Sequence, residues 1–149
     1  MTKPPTTIDT IAKSCIAVRM RMLNRVVTNI YDEALRPLSL KASQMNVLVV
    51  TARLGLARPS QVCGLLHLDV STLSRNVKPL QSHGWLEVVS DEDARTQPFR
   101  LTPQGQRLIE QALPAWETAQ RQAEELLGRD GVALLDRTAK KLGGPGARR

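Results

Sequence analysis

The chain has 149 residues, a formal net charge of +7 at pH 7, 42% hydrophobic residues and only 3% aromatic residues. This length is within the usual size of one domain, and the hydrophobic content supports a single core that must be mainly aliphatic. The positive charge favours a polyanionic partner, and the scarcity of aromatic residues argues against stacking on single-stranded nucleic acid, so duplex DNA is the expected partner.

Two features of the sequence bear on the compartment. No stretch approaches the about 20 apolar residues that cross a bilayer, and residues 1–10 lack the apolar run of a secretory signal. The two cysteines, Cys15 and Cys63, have no spacing typical of a disulfide framework. We therefore expect a cytoplasmic protein without a membrane partner.

Apolar residues near the N-terminus recur at intervals of three and four, which predicts one amphipathic helix about 22 residues long. The apolar stripe consists of Ile8, Ile11, Cys15, Val18, Met22, Val26 and Ile30. One small domain hardly covers such a stripe, so we expect this helix to pair with a second copy of the chain.

The middle of the chain predicts two short helices joined by a tight turn. The first spans Pro59 to Leu66 and begins with a proline, whose missing N–H costs nothing at the first helical position. A turn follows at residues 67–68, and either Asp69 or Ser71 caps the second helix by accepting a backbone hydrogen bond. The second helix ends just before Gly84, a residue suited to the left-handed position after a helix.

The second helix has two chemically different faces. Leu73, Val77 and Leu80 lie at spacings of four and three and should be buried together. Arginine can contact guanine through two hydrogen bonds, asparagine can do the same for adenine, and hydroxyls and lysine bind phosphates. We predict that the other face contacts DNA through Ser71, Thr72, Ser74, Arg75, Asn76 and Lys78. An ordinary solvated helix face is the alternative for these six residues taken alone.

Pro79 disturbs this second helix, because its ring removes one N–H and clashes with the carbonyl of Arg75. The helix is expected either to bend there or to end early.

A β-hairpin is predicted after the two helices, with strands at Leu86–Val89 and Phe99–Leu101 and a polar loop between them. In that loop the Asp93 carboxylate can orient Arg95 toward a narrow minor groove of negative potential. An ordinary exposed ion pair, which stabilises a protein by only about 0 to 1 kcal/mol, is the alternative.

The remainder of the chain is predicted to be helical. Thr102 caps the next helix, Pro103 occupies its first position, and Pro114 should kink or interrupt it. A last amphipathic helix is expected over residues 132–142. The Gly-rich, cationic residues 143–149 are expected to form a disordered tail.

The segments PSQVCGLLHLDVSTLSRNVKPL, GWLEV and DARTQPFRLTPQG resemble the winged-helix core of the MarR-type bacterial transcriptional regulators. The resemblance covers nearly the whole chain except its tail. It implies a mainly α fold with a small β-hairpin wing, in which residues 38–102 form a winged helix-turn-helix and residues 8–35 and 103–142 form a helical dimerisation region. It also implies that Arg95 is the residue of the minor groove.

The same resemblance implies a sequence-specific repressor or activator that binds an inverted-repeat operator as a homodimer, for which we favour repression. Release from DNA would follow binding of a small aromatic or phenolic ligand, with Met22, Met45 and Leu48 as candidate pocket walls. Oxidation of a thiol is the other route, because the hydroperoxide-sensing branch of the family uses a cysteine in its first helix.

Cys15 is the candidate for such a redox switch. Arg19 lies four residues further on and could stabilise a thiolate, whereas the apolar stripe favours a small buried hydrophobic residue. Tyrosine partners expected in that branch are not evident, since Tyr31 is the chain's one tyrosine.

No enzyme, cofactor or metal is expected. Cys63 and His67 are four residues apart, but a metal needs three or four ligands and His83 is the only other histidine. The sequence contains no glycine-rich phosphate loop and no Cys/His pair with a third orienting group, which disfavours a thiol enzyme. A winged-helix module that binds protein through its apolar helices, without specific DNA binding, is the alternative function.

Overall fold

The computed structural model describes residues 5–90, 92 and 97–143. Within these residues the chain forms six α-helices, a short 3-10 turn at Arg36–Leu38 and three β-strands. The helices are α1 (Thr7–Ser14), α2 (Ile16–Leu35), α3 (Ala42–Leu54), α4 (Pro59–Leu66), α5 (Val70–Ser82) and α6 (Pro103–Lys141). The strands are β1 (Leu56–Ala57), β2 (Leu86–Val88) and β3 (Phe99–Leu101). The predicted fold class, mainly helical with a small β wing, is confirmed.

The three strands form one antiparallel sheet in the order β1-β3-β2. Leu86 pairs with Leu101 in the predicted hairpin, and Ala57 pairs with Phe99 on the other side of β3. The sequence analysis did not predict β1, which has only two residues. Its pairing ties the loop between α3 and α4 to the wing.

The core is aliphatic apart from Phe99, as the composition predicts. Its members come from the end of α2, from α3, α4, α5, the sheet and the first turns of α6. The largest fully buried side chains in the described residues include those of Leu35, Val47, Leu48, Val62 and Leu80. None of the described helices is both long and apolar enough to cross a membrane.

The prediction of one unbroken N-terminal helix is wrong, because the chain leaves the helical conformation at Cys15 (φ −66°, ψ 108°). The side chains of Thr10 and Ser14 both donate hydrogen bonds to carbonyls four residues earlier. Such back-bonding bends and slightly destabilises helices. The apolar residues of the predicted stripe are therefore divided between two helices.

Helix α3 brings the N-terminal helices against the helix-turn-helix. The carboxylate of Asp32, on α2, accepts a hydrogen bond from the backbone N–H of Ala42 at 2.7 Å. This N–H lies in the first turn of α3 and has no acceptor within its own helix. Asp32 thus caps α3 from a different element and sets the angle at which α3 leaves α2.

The two helix-interior prolines do not end their helices. Helix α5 continues through Pro79 to Ser82, so early termination there is wrong. Helix α6 likewise continues through Pro114, so the predicted interruption at that residue is wrong. The non-helical residue of α6 is instead Gly128 (φ 68°, ψ 169°), a conformation that is essentially restricted to glycine.

Candidate nucleic-acid interface

The turn between α4 and α5 has the predicted helix-turn-helix geometry. His67 adopts the left-handed conformation (φ 52°) just after α4, and the N–H of Leu68 donates to the carbonyl of Cys63 at 3.0 Å. This hydrogen bond ends α4, and α5 begins at Val70 after three intervening residues. Of the two predicted caps, Asp69 is the one used, and its side chain accepts from the N–H of Thr72 at 2.7 Å.

Helix α5 is held to the rest of the domain by one apolar face. Leu73, Val77 and Leu80 are buried there, as predicted. The helix ends at Ser82, and Gly84 has the left-handed φ of 73° that the sequence predicts. The opposite face of α5 therefore points away from the core.

The six side chains predicted to contact DNA come together on α5 but differ in exposure. Ser71, Arg75 and Lys78 are exposed, whereas Thr72, Ser74 and Asn76 are partly buried. The face therefore consists of two cations and a hydroxyl at its outer edge, with two further hydroxyls and an amide closer to the protein.

Asp69 organises the first turn of this face. Besides the N–H of Thr72, its carboxylate accepts from the Ser71 hydroxyl at 2.6 Å and from the Thr72 hydroxyl at 2.8 Å. Thr72 Oγ1 in turn accepts from Arg75 Nη2 at 3.1 Å. These hydrogen bonds, led by that from Ser71, hold the pKa of Asp69 well below its usual range.

Asn76 is held in place at both ends of its amide. Nδ2 donates to the carbonyl of Thr72 at 2.9 Å, and Oδ1 accepts from the Ser43 hydroxyl, on α3, at 2.8 Å. Recognition of adenine uses both ends of an asparagine amide. These two hydrogen bonds connect α5 to α3 through Asn76. Ser43 was not predicted, because no local pattern marks a hydroxyl whose partner lies 33 residues away in the chain.

The wing carries an ion pair on the exposed side of the sheet, where Arg100 Nε lies 2.6 Å from Glu87 Oε1. These residues are directly opposite each other on β3 and β2. The predicted wing residues Asp93 and Arg95 lie outside the described residues.

The start of α6 is locked to the end of the helix-turn-helix. The Thr102 hydroxyl accepts from the N–H of Gly105 at 3.0 Å, which confirms it as the cap, and donates to the carbonyl of Gly84 at 2.6 Å. A Cβ on Gly105 would lie 2.3 Å from the carbonyl oxygen of Trp85. This close approach requires glycine and holds α6 beside α5 and the wing.

An apolar pocket of about 390 Å³ lies between α3, α4 and α6. Its lining residues are Met45, Asn46, Val49, Val50, Leu66, Ile109, Leu113 and Trp116. Of the predicted pocket walls, Met45 lines it, whereas Leu48 is fully buried in the core and Met22 lines a separate groove on α2.

Cys15 is partly buried between α1 and α2. The Arg19 guanidinium, which could have stabilised a thiolate, donates instead to the backbone carbonyl of Lys13. Cys63 is partly buried and packs against the core. Among the residues that the structure describes, no three His, Cys, Asp or Glu side chains are grouped to hold a metal.

Comparisons with known proteins agree with this geometry. A family model described as a winged helix DNA-binding domain matches residues 40–105. The multiple antibiotic resistance protein MarR of Salmonella typhimurium is 29% identical over 124 residues, which is 81% of this chain and 85% of that protein. The HTH-type transcriptional regulator YwoH of Bacillus subtilis is 26% identical over 87 residues, 58% of this chain and 64% of YwoH. The chain thus spans just under two thirds of YwoH.

Solved structures show the same fold. A mutant MarR from E. coli complexed with operator DNA matches with a TM-score of 0.76 and 25% identity, over 89% of this chain and 96% of that one. BpsR of Bordetella bronchiseptica, whose DNA binding is regulated by 6-hydroxynicotinic acid, matches with a TM-score of 0.74 over 94% of this chain and 99% of that one. At 19% identity, the second likeness concerns the fold alone.

Proposed function

We propose that the chain is a winged-helix DNA-binding transcriptional regulator of the MarR family, a repressor that binds an inverted-repeat operator as a homodimer. The observation that carries the proposal is the outward face of α5, which is anchored by its opposite face and presents cations and hydroxyls. The relatives that it matches are transcriptional regulators rather than enzymes. Its working compartment is then the one that holds the DNA, the cytoplasm.

The exposed side chains of α5 have different roles in this proposal. Arg75 contacts base edges in the major groove, where a guanidinium can form two hydrogen bonds to guanine. Lys78 and Ser71 contact phosphates, which position the helix without carrying sequence information. Thr72 and Ser74 line the contact, and on the wing Asp93 orients Arg95, which binds the adjacent minor groove.

A homodimer would cover apolar surface that the single chain leaves exposed. Helices α1 and α2 expose Ile8, Ile16, Val18 and Met22, each with more than half of its surface accessible. The second half of α6 exposes Leu126 and Leu134, and the residue that follows the helix, Leu142, is exposed to a similar degree. Burying such surface is the usual driving force of association. We therefore assign residues 8–35 and 103–142 to dimerisation and residues 38–102 to DNA binding.

Charge supports a second copy as the partner of these helices. The groove on α2 has apolar walls and the cations Arg21 and Arg25. The groove near the Gly128 kink of α6 combines apolar walls with the acids Glu124 and Asp136 and one cation, Arg129, so its charged residues have a net negative charge. The basic groove of one copy is complementary to the acidic groove of another. A two-fold dimer would place its α5 helices one DNA turn, about 34 Å, apart.

The pocket between α3, α4 and α6 is our candidate for the effector site. A volume of about 390 Å³ suits a small aromatic molecule, and the indole of Trp116 offers it a flat apolar wall. Leu66, at the end of α4, also lines the pocket. A bound ligand would therefore act on the helix directly before α5. Oxidation of Cys15 is the other route to release, and it would act between α1 and α2.

Two variants of α5 test the DNA-binding proposal. Replacing Arg75 by Ala should lower the ratio of affinities for operator and scrambled duplex, because a base contact is lost. Replacing Lys78 by Ala should weaken binding to both duplexes alike and reduce the slope of log affinity against log salt by about 1. Fluorescence anisotropy at several salt concentrations measures both quantities. Normal binding by both variants would refute the proposed contacts.

The effector proposal is tested by adding 6-hydroxynicotinic acid or phenol, and separately an organic hydroperoxide, to the protein–DNA complex. The ligand route is supported if an aromatic compound releases the wild-type protein from DNA but does not release Leu113→Trp, whose larger side chain fills the pocket. The thiol route is supported if hydroperoxide releases the wild-type protein from DNA, a reductant reverses that release, and Cys15→Ser is not released. If none of these agents changes the affinity for DNA, both routes are contradicted.

A further inference from the structure

Asp69 contacts more of the proposed DNA-binding face than a helix cap requires. A cap needs one hydrogen bond to a backbone N–H of the first turn. Asp69 makes that bond to Thr72 and also accepts from the hydroxyls of Ser71 and Thr72, at 2.6 and 2.8 Å. The carboxylate therefore holds two side chains of the proposed face in addition to the backbone.

The hydrogen bonds have a direction that continues to Arg75. An ionised carboxylate can only accept, so the single hydroxyl proton of Thr72 is used toward Asp69 Oδ2. The lone pairs of Thr72 Oγ1 are then available to Arg75 Nη2, which lies 3.1 Å away. The charge of Asp69 thus determines how Thr72 is oriented, and Thr72 in turn holds the guanidinium.

We propose that Asp69 is a specificity-determining positioning residue, which acts through the Thr72 hydroxyl to hold Arg75 in the orientation that reads base edges. The inference rests on the proposed DNA-binding function and assigns Asp69 no contact with DNA.

A held guanidinium matters because discrimination between bases depends on geometry. A free arginine side chain loses rotamer freedom when it docks, whereas a pre-oriented one loses less. The same carboxylate repels DNA phosphates, since it is a negative charge on a surface that faces a polyanion. Asp69 is therefore expected to weaken binding to any duplex slightly while it improves the choice among duplexes.

The electrostatics of Asp69 are consistent with this role. The hydrogen bonds from Ser71 and Thr72 lower the pKa of Asp69, and the positive charge of Arg75 lowers it further. The carboxylate stays ionised, and the direction of its hydrogen bonds is retained throughout the physiological pH range.

Asparagine separates a positioning role from simple capping, because Asn and Asp are about equally good caps. In Asp69→Asn the amide oxygen can still accept from the N–H of Thr72. The amide nitrogen, however, donates to Thr72 Oγ1 instead of accepting from it, and the charge that attracts Arg75 is gone. Helix α5 is therefore retained, while the hydrogen bond between Thr72 and the Arg75 guanidinium is weakened.

The test uses a duplex that the wild-type protein enriches from a random-sequence pool, and a scrambled duplex of the same composition. For Asp69→Asn we expect the ratio of the two affinities to fall about tenfold, the effect of one mismatched base pair. Affinity for the scrambled duplex should be equal or higher. In the Arg75→Ala background, Asp69→Asn should change the ratio no further. Thermal unfolding of Asp69→Asn should lie closer to wild type than that of Asp69→Ala, because Asn keeps the cap, whereas Asp69→Ala loses it and is the destabilised control.

An unchanged ratio in Asp69→Asn would overturn the inference and leave Asp69 a cap. An equal fall in the affinity ratio when Asp69→Asn is added to Arg75→Ala would also overturn the inference, because Asp69 would then act by a route other than Arg75. If the wild-type protein enriches no sequence at all, the proposed function fails and the inference fails with it. The two failures are distinguishable, since one appears in the wild type and the other only in the variants.

Discussion

Tyr31 joins the N-terminal helices to the C-terminal one through a single side chain. Its hydroxyl, on α2, donates to Gln120 on α6, and Gln120 Nε2 donates to Glu124 at 2.9 Å. Partial burial raises the pKa of Tyr31, and the negative charge of Glu124 raises it further. The phenol is therefore neutral and able to donate in the folded protein at any physiological pH.

This pKa shift predicts a loss of stability in alkali. A folded-state pKa above the unfolded value of about 10 means that the folded state holds the proton more tightly. The resulting stability is fully present below about pH 10 and is lost as the pH rises through the folded pKa. Urea unfolding at about pH 8 and about pH 11 should show this loss in the wild type and a smaller one in Tyr31→Phe. Equal losses in both proteins would contradict the assignment.

Gly105 and Gly64 offer a matched pair of substitutions. A Cβ at Gly105 would lie 2.3 Å from the backbone oxygen of Trp85, whereas nothing lies within 4 Å of a Cβ at Gly64, within α4. Gly105→Ala should lower the free energy of unfolding by about 1–3 kcal/mol through overpacking. Gly64→Ala should raise it by about 0.5–1 kcal/mol through helix propensity. Urea denaturation measures both, and similar effects at the two sites would refute the close contact.

At the scale of elements, α6 shows where local sequence rules predict a helix and where they do not. Thr102 and Pro103 mark its start correctly, because capping depends on adjacent residues. Pro114 was expected to kink or interrupt the helix, and the helix continues through it. Its side chain lies on the exposed surface, where water can satisfy the carbonyl that loses its N–H partner. The break falls at Gly128, which the sequence analysis did not single out.

The sign of one substitution tests this break. Gly128 has φ 68° and ψ 169°, a region that alanine strongly disfavours. Gly128→Ala should therefore lower the free energy of unfolding by about 1–3 kcal/mol. In a continuous helix the same change would stabilise by about 0.5–1 kcal/mol. Chemical denaturation followed by circular dichroism distinguishes the two signs, with Gly64→Ala as the helical control.

The predictable elements are those whose signals are local. Helix α4, a cap of α5 at Asp69 or Ser71, and the end of α5 before Gly84 follow from residues next to one another in the chain. Strand β1 was missed because two residues form no pattern and its partner β3 lies more than 40 residues away. The break at Cys15 was missed because the spacing of apolar residues gives no information about hydroxyls that donate hydrogen bonds to helix carbonyls.

The candidate site divides in the same way. The residue types and spacing of α5 were enough to predict which side chains share its outward face. The difference between Arg75, which is exposed, and Asn76, which is bound to Ser43, depends on how α5 packs on α3. Such tertiary contacts leave no trace in a single sequence, so the division of roles within the face required the structure.

At the scale of the whole molecule, most of the positive charge and most of the exposed apolar surface lie outside the helix-turn-helix and the wing. Residues 59–102, which include α4, α5 and the sheet, hold four Lys or Arg against five acids, so the positive charge lies mostly outside them. Most of the strongly exposed apolar side chains lie on α1, α2 and α6, and Val70 on α5, which is 69% exposed, is an exception. A dimer through those helices would bury this surface and leave both α5 helices free.

The dimer is tested by a charge on its proposed surface. Met22 is 64% exposed on α2, and Met22→Glu should convert the dimer to monomer because it places a charge in the apolar groove. Val88→Glu, a similar change at a residue 46% exposed on the wing, should leave the assembly unchanged. Sedimentation equilibrium measures both masses. A wild-type monomer, or a Met22→Glu dimer of unaltered stability, would refute this interface.

Sequence-specific binding to duplex DNA is the central claim, and one measurement tests it most directly. The affinity of the reduced protein for the DNA upstream of its own coding sequence is compared with that for a scrambled duplex at the same salt concentration. We predict tighter binding to the upstream DNA by about 10³-fold or more, with two protomers bound per site. Equal affinity for the two duplexes would contradict the claim.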